Sequence, residues 1–114
     1  MVYRENIASY EQVELALQSL QQVMHRSGHW SELGISVEAL ASEQPFCLDA
    51  MNFSQWLQFV FIPNMQALID AKQILPSLTK GQGIEPMASE FYKNTMADQA
   101  VIAVIRQLDD LLQD

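Results

Sequence analysis

His25 and His29 stand four residues apart, and imidazoles at that spacing on one helix face can hold a metal ion. Gly28 breaks the helix between them, no zinc-protease glutamate accompanies them and no third ligand is evident, so both read as polar residues at a helix end. Cys47 is the lone cysteine; with no base beside it in sequence it reads as a buried, inert thiol, unless folding brings an imidazole to it. Asp49 is a single acid amid Phe46, Cys47, Leu48, Ala50, Met51 and Phe53. Its carboxylate either takes a capping or turn role, such as satisfying backbone N–H groups at the helix entry, the preferred reading, or points into a pocket. Gln58 interrupts the apolar run Trp56-Leu57-Gln58-Phe59-Val60, where an unpartnered buried amide costs about 1–3 kcal/mol. It therefore makes a structural hydrogen bond, lies on an exposed strip or recognises a ligand. Trp30 and Trp56 read first as core anchors and second as walls of an apolar site. Gly81-Gln82-Gly83 follows no predicted strand and lacks the Lys-Ser/Thr ending of a phosphate loop, so it reads as an ordinary flexible turn. No catalytic residue, metal site or cofactor is assigned.

The elements that must position these residues are helices. Tyr10, Val13, Leu17, Leu20 and Met24 recur at steps of three and four, which predicts a helix over 8–27 stopped by Gly28. Ser36 is placed to cap a short helical piece through Ala41, ended by Pro45. Asn52 and Gln55 form a capping pair that starts a central helix at Phe53. Pro63 should kink that helix, and the spacing of Phe61, Met65, Leu68, Ile69 and Lys72 carries its register to about Lys72. After a loop over 76–83, Pro86 opens a short helix, and a last long helix starts near Met96 with Thr95 as its cap. Its buried face is Val101, Val104, Ile105, Leu108, Leu111 and Leu112, with Arg106 available to Asp109 or Asp110. With no period-two alternation and no repeat, the expected fold is all-α: a small four-helix-like bundle with a Pro-kinked central helix and short extra helical turns.

Size allows one domain, 1–114, with about two-thirds of its surface buried on folding. Six Lys+Arg against fourteen Asp+Glu give a net charge of −8, which opposes direct nucleic-acid binding, and the cations are scattered singly. No apolar run is long enough for a bilayer, the N-terminus lacks a secretory pattern and the single cysteine cannot form an internal disulfide, so the cytoplasm is the expected compartment.

His29-Trp30, Gln44-Pro45-Phe46 with Asp49 and Met51, Trp56-Leu57-Gln58, and Ile62-Pro63 with Met65 together resemble the YqcC-like family of small bacterial proteins. The resemblance spans most of the chain in order, the 76–85 region offering little to compare. It implies an all-α, four-helix-like bundle in the cytosol and a gene placed near a tRNA pseudouridine synthase, and it brings no catalytic residues with it. The leading expectation is a non-enzymatic interaction protein that docks on another protein, such as an RNA-modifying enzyme, through Trp30, Gln44, Pro45, Phe46 and Asp49 of the 29–51 connection. The alternative is a small-molecule binding domain in which Trp56, Trp30 and Phe46 line an apolar pocket and Gln58 or Asp49 supplies polarity. Self-association is a further expectation, because a second copy can cover an apolar helix of a small domain.

Overall fold

A computed structural model describes residues 2–76, 83–92 and 99–112, with side chains from residue 10 onward. Helix α1 (Val2–Arg26) begins earlier than its apolar pattern predicts. Val13, Ala16, Leu17, Leu20 and Met24 are buried, and the half-buried Tyr10 donates its hydroxyl to the Gln73 carbonyl at 2.6 Å. The helix closes as the sequence requires: Gly28 takes φ 79°, its N–H bonds the His25 carbonyl at 3.3 Å and the His29 N–H bonds that of Met24 at 2.9 Å. These are the two bonds of a Schellman closure.

Ser36 caps α2 (Val37–Leu40) by accepting from the Ala39 N–H at 3.1 Å. Pro45 does not end this piece. It starts a separate 3₁₀ turn, Pro45–Cys47, where its missing N–H is no loss. The central helix comprises α3 (Phe53–Trp56), a π turn (Leu57–Phe61) and α4 (Ile62–Asp70) in one continuous path. Its start is a full capping box, with Asn52 Oδ1 accepting from the Gln55 N–H at 2.8 Å and Gln55 Oε1 from the Asn52 N–H at 2.9 Å. The perturbation expected at Pro63 takes the form of the π turn just before it, in which the Ile62 N–H reaches back five residues to the Leu57 carbonyl. The wider turn relieves the clash between a proline ring and the carbonyl four residues earlier. Burial decides the outcome: a proline forced into a regular helix costs about 3 kcal/mol, less than the roughly 6–12 kcal/mol that the buried Phe53, Leu57, Phe61 and Met65 return together. The helix ends at Asp70, slightly before the expected Lys72, because Lys72 itself adopts φ 53° and closes the helix in the place a glycine usually takes.

Helix α5 (Glu85–Phe91) carries Pro86 in its first turn, and α6 runs Gln99–Leu112. The start expected near Met96 and the Thr95 cap lie outside the described residues. Asp109 of α6 is buried and spans the start of α5, Oδ1 accepting from the Ile84 N–H at 2.8 Å and Oδ2 from the Glu85 N–H at 2.7 Å. A Cβ added at Gly83 would stand 2.5 Å from Asp109 Cγ, so this glycine is a point of close approach and not only a flexible turn. Arg106 consequently meets Glu85, at 3.2 Å, instead of the expected Asp109 or Asp110.

Helices α1 and α6 pack along each other, α4 lies on α1, and α5 bridges α6 and α3. One main core gathers Leu17 and Leu20 from α1, Phe53 and Leu57 from the central helix, and Ile105 and Leu108 from α6. A second, small cluster of Ala39, Cys47 and Met51 holds the 35–51 lobe against the central helix through Trp56 and Val60. Trp56 packs in both. No described helix is long and apolar enough to cross a membrane.

Candidate functional site

The connection from Ser27 to Asn52 is an irregular lobe pinned at three points. At its start Gln58, buried in the π turn, grips Ser31 with both halves of its amide: Oε1 accepts from the Ser31 N–H at 2.8 Å and Nε2 donates to the Ser31 carbonyl at 2.9 Å. The widened turn thus presents an amide that replaces the strand-like pairing the loop backbone lacks, and Gln58 is committed to a structural bond. In the middle, Ser42 donates its hydroxyl to Asp49 Oδ1 and accepts from the Gln44 N–H at 3.2 Å, tying the two ends of the 42–49 turn. Asp49 is exposed, and through this hydroxyl bond its carboxylate holds the turn and does not cap the helix start. Below the turn, Cys47 is buried, its Sγ 3.8 Å from the Ser42 carbonyl. Phe46 and Cys47 take φ 56° and 52°, a pair of left-handed residues that turns the Phe46 ring inward onto Trp56 (centroids 4.9 Å) and Phe53 (5.9 Å).

The expected contact residues therefore divide. Trp30 is half-buried and stacks on the His25 ring at 4.7 Å; Phe46 and Trp56 are half-buried in one aromatic group with Phe53 and Phe61. Gln44, Pro45 and Asp49 are exposed. A shallow groove of about 290 Å³ borders Trp30, His29, Asn52, Gln55 and Phe91, but Trp56, Phe46, Gln58 and Asp49 are not on its wall. Of the side chains named for the small-molecule reading, Phe46 and Trp56 pack on each other, Trp30 stacks on His25 at the edge of the groove, and the Gln58 amide is engaged by Ser31.

Chemistry elsewhere is similarly committed. His25 lies on Trp30 and His29 beside Tyr92 at 4.8 Å, and among the described residues no group of three or more His, Cys, Asp or Glu side chains could hold a metal ion. Ser54 and Tyr92 share a buried hydroxyl–hydroxyl bond of 2.6 Å. Among the described residues no buried side-chain polar atom lacks a partner. The Ser89 hydroxyl and the Arg106 guanidinium hold the Glu85 carboxyl below its ordinary range.

What the sequence did not single out is the outward face of the lobe. Leu33 and Val37 are 79% and 78% exposed, and Leu40 and Leu48 are 44% and 45% exposed. Val37 and Leu40, three apart, share the side of α2 away from the buried Ala39. The usable signal was the shortness of α2: a four-residue helix that turns an alanine inward leaves its larger side chains outside.

A family model named DUF446 and described as tRNA pseudouridine synthase C matches residues 12–111. The chain belongs to the DUF446 family. An uncharacterised protein of Haemophilus influenzae is 34% identical over 100 residues, 88% of this chain and 92% of its own length. The uncharacterised YqcC of Escherichia coli is 29% identical over 113 residues, 95% and 97% of the two chains. Its solution NMR structure superposes with a TM-score of 0.78 at 30% identity, covering 91% of this chain and 87% of that one, so the all-α architecture of DUF446 is shared. A protein of Pectobacterium carotovorum named tRNA pseudouridine synthase C is 38% identical over 65 residues, 57% of this chain but 17% of that protein.

Proposed function

We propose that this chain is a non-catalytic docking protein for a tRNA-modifying enzyme of the pseudouridine synthase class, working in the cytoplasm where such an enzyme meets its RNA. The observation that carries the reading is the Pectobacterium match: a stretch like this chain occupies 17% of a protein named for the synthase, so a DUF446-like segment and a synthase name meet in one polypeptide. Two proteins joined in one chain in some organisms are well placed to associate as separate chains in others. The physical features agree. A net charge of −8 opposes binding of RNA by this chain itself, while it favours approach to the positive surface an RNA-binding enzyme must carry. Among the described residues the lobe carries four exposed large apolar side chains, Leu33, Val37, Leu40 and Leu48, available to a partner.

The test is direct mixing of the purified chain with the purified tRNA pseudouridine synthase C of the same organism, followed by size-exclusion chromatography and calorimetry. A co-migrating complex that forms without RNA is expected. Separate elution at tens of micromolar of each protein would overturn the reading.

A further inference from the structure

Charge on the lobe is one-sided. Between Arg26 and Lys72 the sequence has no lysine or arginine, while Glu32, Glu38, Glu43 and Asp49 are all exposed. The acids alternate with the exposed aliphatics: Glu32 precedes Leu33, Glu38 follows Val37, and Asp49 follows Leu48. We propose that this face receives a partner segment that presents apolar side chains flanked by lysine or arginine, as one side of a basic amphipathic helix does. The proposal rests on the docking reading in supposing a protein partner, and adds which surface takes it and with what chemistry. Aliphatic side chains left in water supply the area to be covered, and the surrounding carboxylates select cations and repel anions. A second copy of the chain fits poorly, because a two-fold contact would set the same carboxylates against each other, and residues 27–71 contain no lysine or arginine to offset them. An anionic lipid surface is repelled for the same reason.

The test uses the full chain with two double substitutions, Val37→Asp with Leu40→Asp and Glu38→Lys with Glu43→Lys. Leu15→Asp, at a 64% exposed position on α1, serves as control. Probes are a synthetic Leu/Lys amphipathic peptide, its Leu/Glu counterpart and the synthase named above; unchanged melting curves certify folding. The Leu/Lys peptide is expected to bind the parent chain and the control alike, and the Leu/Glu peptide neither. Both double variants should bind it at least about tenfold more weakly, a free-energy change of about 1.4 kcal/mol. The aspartate pair is the sharper arm: it adds two negative charges, so attraction by charge alone would tighten binding. Equal or tighter binding by that variant, or undiminished binding by the lysine pair, overturns the proposal. A dimer abolished by the aspartate pair in sedimentation overturns it in favour of a second copy. A synthase complex insensitive to both variants overturns this surface but leaves the docking reading; no synthase complex, with the peptide results as expected, defeats that reading and leaves the surface.

Discussion

The contact between Gly83 and Asp109 makes a double-mutant cycle decisive. In Gly83→Ala the new methyl group would lie 2.5 Å from Asp109 Cγ and 2.9 Å from Oδ1, so the carboxylate must withdraw from the Ile84 and Glu85 N–H groups it now holds at 2.8 and 2.7 Å. Hydrogen bonds to a charged group contribute roughly 1.5–3 kcal/mol each, and part of that is retained through water at the half-buried Glu85, giving about 2–4 kcal/mol for the substitution. Asp109→Ala should cost a similar amount through the same loss. In the Asp109→Ala background, however, Gly83→Ala meets no carboxylate, and Gly83 does not sit in the left-handed region, so its cost should fall to near zero or reverse by about 0.5 kcal/mol. The expected coupling is therefore about 2–4 kcal/mol, measured by urea denaturation of the four proteins followed by circular dichroism, with Tm losses on the order of 10 °C in either single variant. Additive costs in the double variant would refute the view that the carboxylate bridge is what excludes a side chain at Gly83.

Three further outcomes are expected. Gln58→Leu leaves the Ser31 N–H and carbonyl unpaired and should cost about 1–3 kcal/mol, with accelerated amide exchange at Ser31 while the α1 core amides stay protected from local opening. Lys72→Gly should stabilise by about 1 kcal/mol in thermal melts, since glycine accepts the φ of 53° that lysine holds at a cost. The Glu85 carboxyl is depressed in the folded chain by the Ser89 hydroxyl first and by Arg106, so its contribution is present above its ordinary value near 4.5 and lost as pH falls through the lower folded value. Glu85→Gln should consequently flatten the drop in urea midpoint on the acid side of pH 4.5 relative to the parent chain; an unchanged slope would remove this ion pair from the acid response.

Local signals made most of the bundle legible. The 3.6-residue pattern of Val13, Leu17, Leu20 and Met24 located the buried face of α1, and Gly28, Ser36 and the Asn52–Gln55 pair marked helix ends because each acts on backbone groups within a few residues. What escaped depends on partners distant in sequence or on conformations that residue type discourages. Asp109 reaches helix α5 across 25 residues, Gln58 reaches Ser31 across 27, and Lys72 stands where a glycine is usual. The 29–51 connection was legible as an irregular segment, but not which of its side chains would lie outside. Phe46, named as a contact residue, is folded under the lobe by its left-handed backbone, while Leu33 and Val37, which carried no signal of their own, face water.

The shared position of Trp56 gives the molecule a built-in optical gauge. Its indole is one wall of the small Ala39–Cys47–Met51 cluster and also part of the main core, so the lobe cannot lift away without wetting that ring. With Trp30 replaced by phenylalanine, the emission colour of the remaining tryptophan would distinguish a lobe that seats a visitor as a rigid cap from one that peels open to admit it.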